Sequence, residues 1–436
     1  MEYVEKASKV FLETGTKFPR SIIWAMGIIK FAAAKVNNNL GLLDDDMANV
    51  IMEISMDIAK GKHDDLIVVD VFQTGSGTGL NMNINEAISK IARDKYKIDI
   101  HPNDHVNMGQ SSNDVVPTAI RMAVIYETKN KLVPAVESFI GKLREVSHSL
   151  KGIVKPGRTH LRDALPVSMD MEFQAYLNSF SNTLNLIPPI LKNISEVPIG
   201  GTAVGTGFNT HPHFPRKILT EINKITGLSL THGLEPSKGM RLVTDLITLS
   251  AILRILSLDL LKLSQDIRLM YSGPLTGFGE IDIEQELPGS SMMPGKKNPV
   301  TVEAVMQAAC QVIGLDYSNT LASTLGELEL AMSFPLIGYN LILQILLVTE
   351  ALNKFSLKVL SKVTVKRERC KNLALKSPAL ITAVAPIIGY DNATKVAERM
   401  SKGLTLEDAL KEIGLPEDKI KELLDNIMKT TPGFHL

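Results

Sequence analysis

GSSMMPGKKN, residues Gly289–Asn298, packs two adjacent serines, two glycines, a proline and two lysines into one short stretch. Such a composition makes a turn, not a helix or strand. Asn298-Pro299 closes it as a helix start, because Asn caps and Pro suits the first helical position. A lysine beside a helix N-terminus forms an anion site, and the neighbouring hydroxyls are candidate proton movers. The stretch therefore predicts an enzyme that handles a carboxylate or phosphate and moves a proton.

The surroundings narrow this. With 436 residues, 44 % of them hydrophobic, the chain can build a sizeable core and is not globally disordered. Its 47 Lys+Arg balance 47 Asp+Glu, which argues against a broad nucleic-acid footprint. Two cysteines, Cys310 and Cys370, provide neither a disulfide framework nor a cysteine metal site, and a reducing compartment fits. The start, MEYVEKASKVF, lacks the apolar run of a signal peptide. The most apolar stretches are Leu246–Leu263, interrupted by Arg254, Asp259 and Lys262, and Leu336–Val348, interrupted by Asn340 and Gln344. Both read as helices buried by neighbours, not as membrane spans.

Aromatics are only 5 %, and Leu, Ile, Ala, Met and Lys recur in helix-like runs. No alternating run is long enough for a central sheet, so the fold class is all-α, most simply a bundle of long helices. Helices are predicted over 21–36, 47–60, 85–95, 118–150, 169–197, 215–226, 242–270, 300–318 and 337–361, with two short ones after Asn392. Boundaries near Met108 and Lys366 divide the chain into an N-terminal helical domain (1–108), a central long-helix bundle (109–366) and a small C-terminal helical domain (367–436). Polar, glycine-rich segments interrupt the helices at 73–85, 101–117, 155–166, 199–215 and 272–299. The last carries the acidic run Glu280, Asp282, Glu284, Glu286, and its length between two long helices suggests a lid.

These segments carry the chemistry. In QTGSGTGLNMNINE, Gln73–Glu86, glycines let backbone N–H groups approach an anion while Ser76, Thr78 and Asn81 add donors. A P-loop is excluded for want of Gly-Lys-Ser/Thr, and a dinucleotide fingerprint by its spacing. The plain alternative is a glycine-rich turn before a helix. In HPNDHVNMGQSSNDVVPTA, His101–Ala119, the residues Ser111, Ser112, Asn113 and Asp114 are good helix caps and Pro117 fits a first turn. That is either an ordinary capped helix or a second helix N-terminus offering hydroxyls and amides to an anion. His101 and His105 have i, i+4 spacing, but Pro102 argues against a shared metal-binding face. In KPGRTHLRDALP, Lys155–Pro166, His160 lies among polar residues and suits acid–base work. The alternative there is a surface turn with Arg158 and Asp163 paired. In IGGTAVGTGFNTHPHF, Ile199–Phe214, His211 and His213 read better as loop histidines near a helix start than as metal ligands. Glu303, in the first turns after Pro299, either complements the helix dipole or orients and charges a histidine.

In this order, the segments resemble the fumarase/aspartase superfamily. GSSMMPGKKN matches its signature GSSxMPxKxN, and TGSGTGLNMNINE, HPNDHVNMGQSSND, GRTHLRDALP and GGTAVGTGFN look like the class II fumarase blocks. The likeness runs from about Phe18 to Ser377–Ala393. It implies a mainly α, L-aspartase-like fold of three domains, whose central five-helix bundle joins three others in a twenty-helix core. It implies a homotetramer with active sites shared by three subunits, located in the cytoplasm and acting in the tricarboxylic acid cycle. The implied reaction is reversible hydration of fumarate to L-malate through an aci-carboxylate carbanion. The implied partner is a small dicarboxylate, with no cofactor, metal, nucleic acid or membrane.

The resemblance also implies roles. Ser290 would take the C3 proton of malate, His160 would act on the departing hydroxyl, and Glu303 would be its carboxylate partner. Ser291, Lys296 and Asn298 would bind substrate, and Lys297, which departs from the family pattern, adds positive charge beside them and is grouped with them. Ser76, Gly77 and Thr78 would line the site together with Ser111, Ser112 and Asn113, and Thr159 would enter with His160 from a neighbouring subunit. His101, Pro102, Asn103 and Asp104 match a second anion site. Aspartate ammonia-lyase is the alternative, but His101, Ser112 and His160 all favour fumarase. An inactive structural member of the superfamily is the remote alternative, opposed by the presence of His160 and Ser290. Two further departures are a short start before Phe18 and Asp170-Met171-Glu172-Phe173 in place of a GQEF sequence.

Overall fold

Polar residues set into apolar helices need buried partners, and the fold is arranged to supply them. The computed structural model describes residues 1–285, 287 and 289–427. Glu286 of the acidic run and the end of the expected 367–436 domain lie outside the described residues. Long helices dominate: Arg20–Asn39, Asp45–Ala59, Thr78–Ile91, Ser112–Glu127, Val133–Ser149, Met169–Leu184, Thr244–Tyr271, Val300–Ala322 and Phe334–Phe355. Each sheet among the described residues is a two-stranded antiparallel pair: Val154–Thr159 with Arg162–Ser168, Ile281–Ile283 with Val363–Val365, and Gly326–Glu327 with Leu330–Ala331.

Three sequence expectations change in detail. The helix expected from Thr118 begins at Ser112. Ser111 caps it, accepting from Asn113 N (3.2 Å), while the Asp114 carboxylate accepts from Ser111 N (2.9 Å). Pro117 is therefore inside the helix and not in its first turn. The segment expected as a loop at 155–166 is a β-hairpin. His160 and Leu161 form its tip with φ of +54° and +57°, the two left-handed residues that a tight hairpin turn requires. No glycine marks that turn, so its sequence gives no hairpin signal. Asn298 does not cap the helix after the signature; its side-chain amide donates to the Gly289 carbonyl. Pro299 takes the cap position, since Glu303 N bonds to Pro299 O (3.1 Å) and the helix starts at Val300.

The chain divides into two units. The first comprises Met1–Ala135, Thr183–Leu258 and Ala308–Glu350. Here the polar residues of the Phe334–Phe355 helix find partners. Fully buried Gln344 donates to Val312 O (3.1 Å) and accepts from Ser250 Oγ (3.0 Å) and Asn319 Nδ2 (3.2 Å). Asn340 Nδ2 donates to Asn319 Oδ1 (3.0 Å). By length and composition, Phe334–Leu360 could cross a membrane, yet 67 % of its apolar window is buried inside the chain. Arg121, also buried, forks onto Asp245 (Nε–Oδ2 2.8 Å, Nη2–Oδ1 3.1 Å) and donates to Gly239 O (3.0 Å).

The second unit comprises Val136–Asn182, Asp259–Gln307 and Ala351–Leu436. Phe139 packs edge-on against Phe180 (4.9 Å) and Phe355 (6.1 Å). The tail has its own apolar cluster, including Leu380, Val396, Leu410, Ile420 and Leu423. Both cysteines are free, Cys310 exposed and Cys370 buried.

Arg121→Leu would strand the Asp245 carboxylate beside the buried face. The expected loss of stability is about 3–5 kcal/mol. Denaturant unfolding should show it, and the double variant Arg121→Leu/Asp245→Leu should recover part of it.

Candidate active site

Two groups of the expected site residues are assembled, one in each unit. In the first unit, two helices start at the same place. Thr78 and Ser112 are the first residues of the Thr78–Ile91 and Ser112–Glu127 helices, and their hydroxyls are hydrogen-bonded at 2.8 Å. Ser76 Oγ extends the chain to Thr78 Oγ1 (3.0 Å). All three serine and threonine side chains are half-buried. Two helix N-termini thus face one accessible spot with hydroxyls, which suits a carboxylate. Gly77 is required for this approach. Its φ is +78°, and a Cβ there would meet Val116 Cγ1 of the other helix at 2.7 Å. Asn113 joins the cluster from the same helix start, donating to Ala203 O (2.9 Å).

The cluster rests on two buried charges that the sequence reading did not single out as site residues. Asp114 accepts from Ser111 N (2.9 Å), Gly200 N (2.9 Å) and Thr202 N (3.0 Å). The GGT turn of the fourth block is thereby tied under the serine block. Burial pushes the Asp114 carboxyl up to about 7, and those three N–H donors oppose the shift. Lys30 is fully buried and donates to Asn81 Oδ1 (2.8 Å), Asn107 Oδ1 (3.0 Å) and Gln110 Oε1 (3.0 Å). Burial pulls its ammonium down to about 7. The one signal for Lys30 was that it is the only charge between Arg20 and Lys35 in an otherwise apolar helical run.

The second unit holds the signature stretch. Gly289 N donates to Lys296 O (3.1 Å), and the Asn298 amide returns to Gly289 O, so the loop is clasped at its ends. A Cβ on Gly289 would lie 2.3 Å from Asn298 N. Inside the clasp, Ser290 Oγ accepts from Met292 N (3.2 Å) and Met293 N (3.0 Å). Donors aimed at a hydroxyl oxygen favour its deprotonated form. Ser291 is exposed. Lys296, Lys297, Asn298 and Glu303 line an open cleft of about 920 Å³ with Arg268, Tyr271, Asp282 and Lys366. Four cationic side chains face two carboxylates there, so the cleft attracts anions. Tyr271 Oη donates to Lys297 O (3.1 Å), which fixes the backbone there while the Lys297 side chain stays exposed.

Thr159 and His160 stand exposed at the hairpin tip. Among the described residues, no hydrogen bond joins His160 to Glu303 or Ser290, and neither His160 nor Ser290 lines the cleft. The first strand of the hairpin is held by fully buried Glu280, which pairs with Arg158 (2.6 Å) near the turn and Lys155 (3.1 Å) near the open end. Arg158 also lies over the Phe278 ring at 4.0 Å. The alternative pairing of Arg158 with Asp163 is not formed, although the two sit opposite each other in the ladder. A buried carboxylate outcompetes an exposed one for the guanidinium.

His101, Pro102, Asn103 and Asp104 form a short surface turn. His101 Nδ1 accepts from Asp104 N (3.1 Å) and lies 3.2 Å from Asp104 Oδ2. His105 Nδ1 accepts from His101 N (2.9 Å), so the two rings do not share a helix face. His213 sits at the cap position of the Phe214–Thr226 helix, 5.3 Å from the His211 ring.

These helices, the hydroxyl cluster and the clasped serine loop occur in a chain that comparison with known proteins places among the lyases. Residues 1–314 match the lyase family and residues 380–427 match the fumarase C C-terminus. The class II fumarate hydratase of Saccharolobus solfataricus is 50 % identical over 100 % of this chain and 99 % of its own. That of Xylella fastidiosa is 40 % identical over 99 % of this chain and 92 % of its own. The crystal structure of a class II fumarase from Schistosoma mansoni superposes with a TM-score of 0.92 at 30 % identity, covering 99 % of this chain and 95 % of that one. The chain belongs to the class II fumarase family.

Glu280→Ala leaves Lys155 sharing only Glu172 and deprives Arg158 of its carboxylate. A loss of about 3–5 kcal/mol is expected. Trypsin should then cleave the hairpin at Arg158 or Arg162 faster than in the unaltered protein; an unchanged cleavage rate would show that Glu280 does not anchor it.

Proposed function

We propose that this protein interconverts L-malate and fumarate, with Ser290 as the proton-abstracting base. The observation that carries the assignment of Ser290 is its Oγ, which accepts two backbone N–H groups within a loop that also presents Lys296 and Lys297. Those donors and charges lower the cost of an alkoxide. Ser290 takes the C3 proton of malate, and the electron pair passes into the adjacent carboxylate as an aci-carboxylate dianion. Lys296, Lys297 and the amide of Asn298 stabilise the added charge, which exists only during reaction. The pair then returns to form the C2–C3 double bond while the C2–O bond breaks, and His160 delivers the proton that lets hydroxide leave as water. Ser76, Gly77, Thr78, Ser111, Ser112 and Asn113 hold the other carboxylate at the paired helix starts. Ser291 and Thr159 complete the substrate contacts, and Glu303 charges His160. His101, Pro102, Asn103 and Asp104 serve as a separate surface anion site.

The site is completed by other copies of the chain in a homotetramer. Supporting this, Leu258, Tyr317, Leu321, Leu346 and Leu357 are exposed on the long helices, an arrangement that asks for partner helices. The absence of a bond from His160 to Glu303 within one chain fits a histidine that works in a neighbour's site. Of the proposed three-domain division at Met108 and Lys366, the second boundary is supported by the separate apolar cluster of the tail. Free Cys310 and Cys370 suit the reducing cytoplasm proposed as its location.

Purified protein should form fumarate from L-malate, followed by ultraviolet absorbance, and none from L-aspartate. Activity on L-aspartate alone would overturn the assignment. Ser290→Ala is expected to lower kcat by about 10²–10⁴-fold, and undiminished turnover would remove Ser290 from the role of base. His160→Asn should mainly reduce kcat with the tetramer intact by size-exclusion chromatography; dissociation would mark His160 as structural instead.

A further inference from the structure

Lys30 is a buried charge for which the reaction as described has no use. Its surroundings fix its protonation state by geometry. Asn107 Nδ2 donates to Gln110 O (3.2 Å), and Gln110 Nε2 donates to Val106 O (3.0 Å) and Met108 O (3.2 Å). Both amides must therefore turn their oxygens to Lys30. Asn81 does the same, because its Nδ2 donates to Asn107 Oδ1 (3.1 Å). Three acceptor oxygens around one nitrogen are satisfied only by the three N–H groups of an ammonium.

The positions of these ligands matter. Asn81 lies in the first turn of the Thr78–Ile91 helix, while Asn107 and Gln110 lie in the turn that leads into Ser111 and Ser112. Lys30 thus bridges the two segments whose hydroxyls meet at Thr78 and Ser112. Its ligands are neutral amides, so its charge is not cancelled at contact. The neighbouring carboxylate, Asp114, is engaged by three backbone N–H groups. For stability alone, apolar residues at these positions would serve as well, because a buried charge is costly to desolvate.

We propose that Lys30 is a positioning residue for dicarboxylate binding. It locks the two helix starts together and places a fixed positive charge behind the hydroxyls that receive a substrate carboxylate. The proposal rests on reading the Thr78–Ser112 cluster as one wall of the malate and fumarate site.

Two variants separate charge from scaffolding. Lys30→Met removes the ammonium. Asn81→Asp retains Lys30 and its contact but neutralises its charge with a carboxylate. Turnover of L-malate by the unaltered protein is measured first, and its absence would count against the hydratase reading itself. Succinate affinity by calorimetry needs no turnover and judges Lys30 independently. In folded tetramers of either variant, the Kd for succinate and the KM for L-malate should rise together by about tenfold or more, with a smaller fall in kcat. A folded Asn81→Asp tetramer with unchanged succinate affinity would overturn the proposal, whatever becomes of Lys30→Met. Loss of folding in both variants would also overturn it, by showing Lys30 to be purely structural.

Discussion

Two buried residues of opposite charge type, Asp114 and Lys30, hold a pair of helix starts and their hydroxyls together. Asp114 gathers the N–H groups of Ser111, Gly200 and Thr202, while Lys30 gathers the amide oxygens of Asn81, Asn107 and Gln110. Neither charge could be buried without these partners, because an unpaired ion in the interior costs several kcal/mol. Three glycine-rich or polar segments, far apart in the chain, are therefore forced to meet. The hydroxyl bond between Thr78 and Ser112 is the visible result at the surface of that arrangement.

The same logic recurs in the second unit. Glu280 is buried and needs cations, and it finds Lys155 and Arg158 along the first strand of the hairpin that bears His160. The hairpin tip is left exposed and held in an unusual backbone conformation at His160 and Leu161. Such strain persists only when the rest of the element is firmly fixed. The signature loop is fixed differently, by a clasp between Gly289, Lys296 and Asn298 within which Ser290 Oγ accepts from two backbone N–H groups. The proposed role of Ser290 as base suits that setting, since an alkoxide there would be met by N–H dipoles and nearby lysines.

Some of this was legible in the chain. Helix content followed from apolar periodicity, and the signature, serine and glycine blocks pointed to the right class through their order along the chain, since each alone also reads as an ordinary turn or helix cap. The details that were missed share a cause. Asn298 and Pro117 were assigned by local capping preference, yet Asn298 bonds back to Gly289 instead of capping, and an earlier cap at Ser111 moved the start of the helix that contains Pro117. The hairpin was missed because its turn uses His160 and Leu161 where glycine or asparagine would have announced it.

The sequence by itself determined the kind of protein this is: a chain of long helices, carrying the ordered motifs of a class II fumarase, among them a lysine- and serine-rich turn before a helix. Those properties depend on residue identity and local spacing, which a linear chain displays directly. Tertiary structure alone decided which charges are buried and what satisfies them. That Lys30 serves Asn81, Asn107 and Gln110, or that Arg158 answers to Glu280 and not to Asp163, depends on desolvation. Desolvation is a property of the folded interior and has no counterpart in residue order.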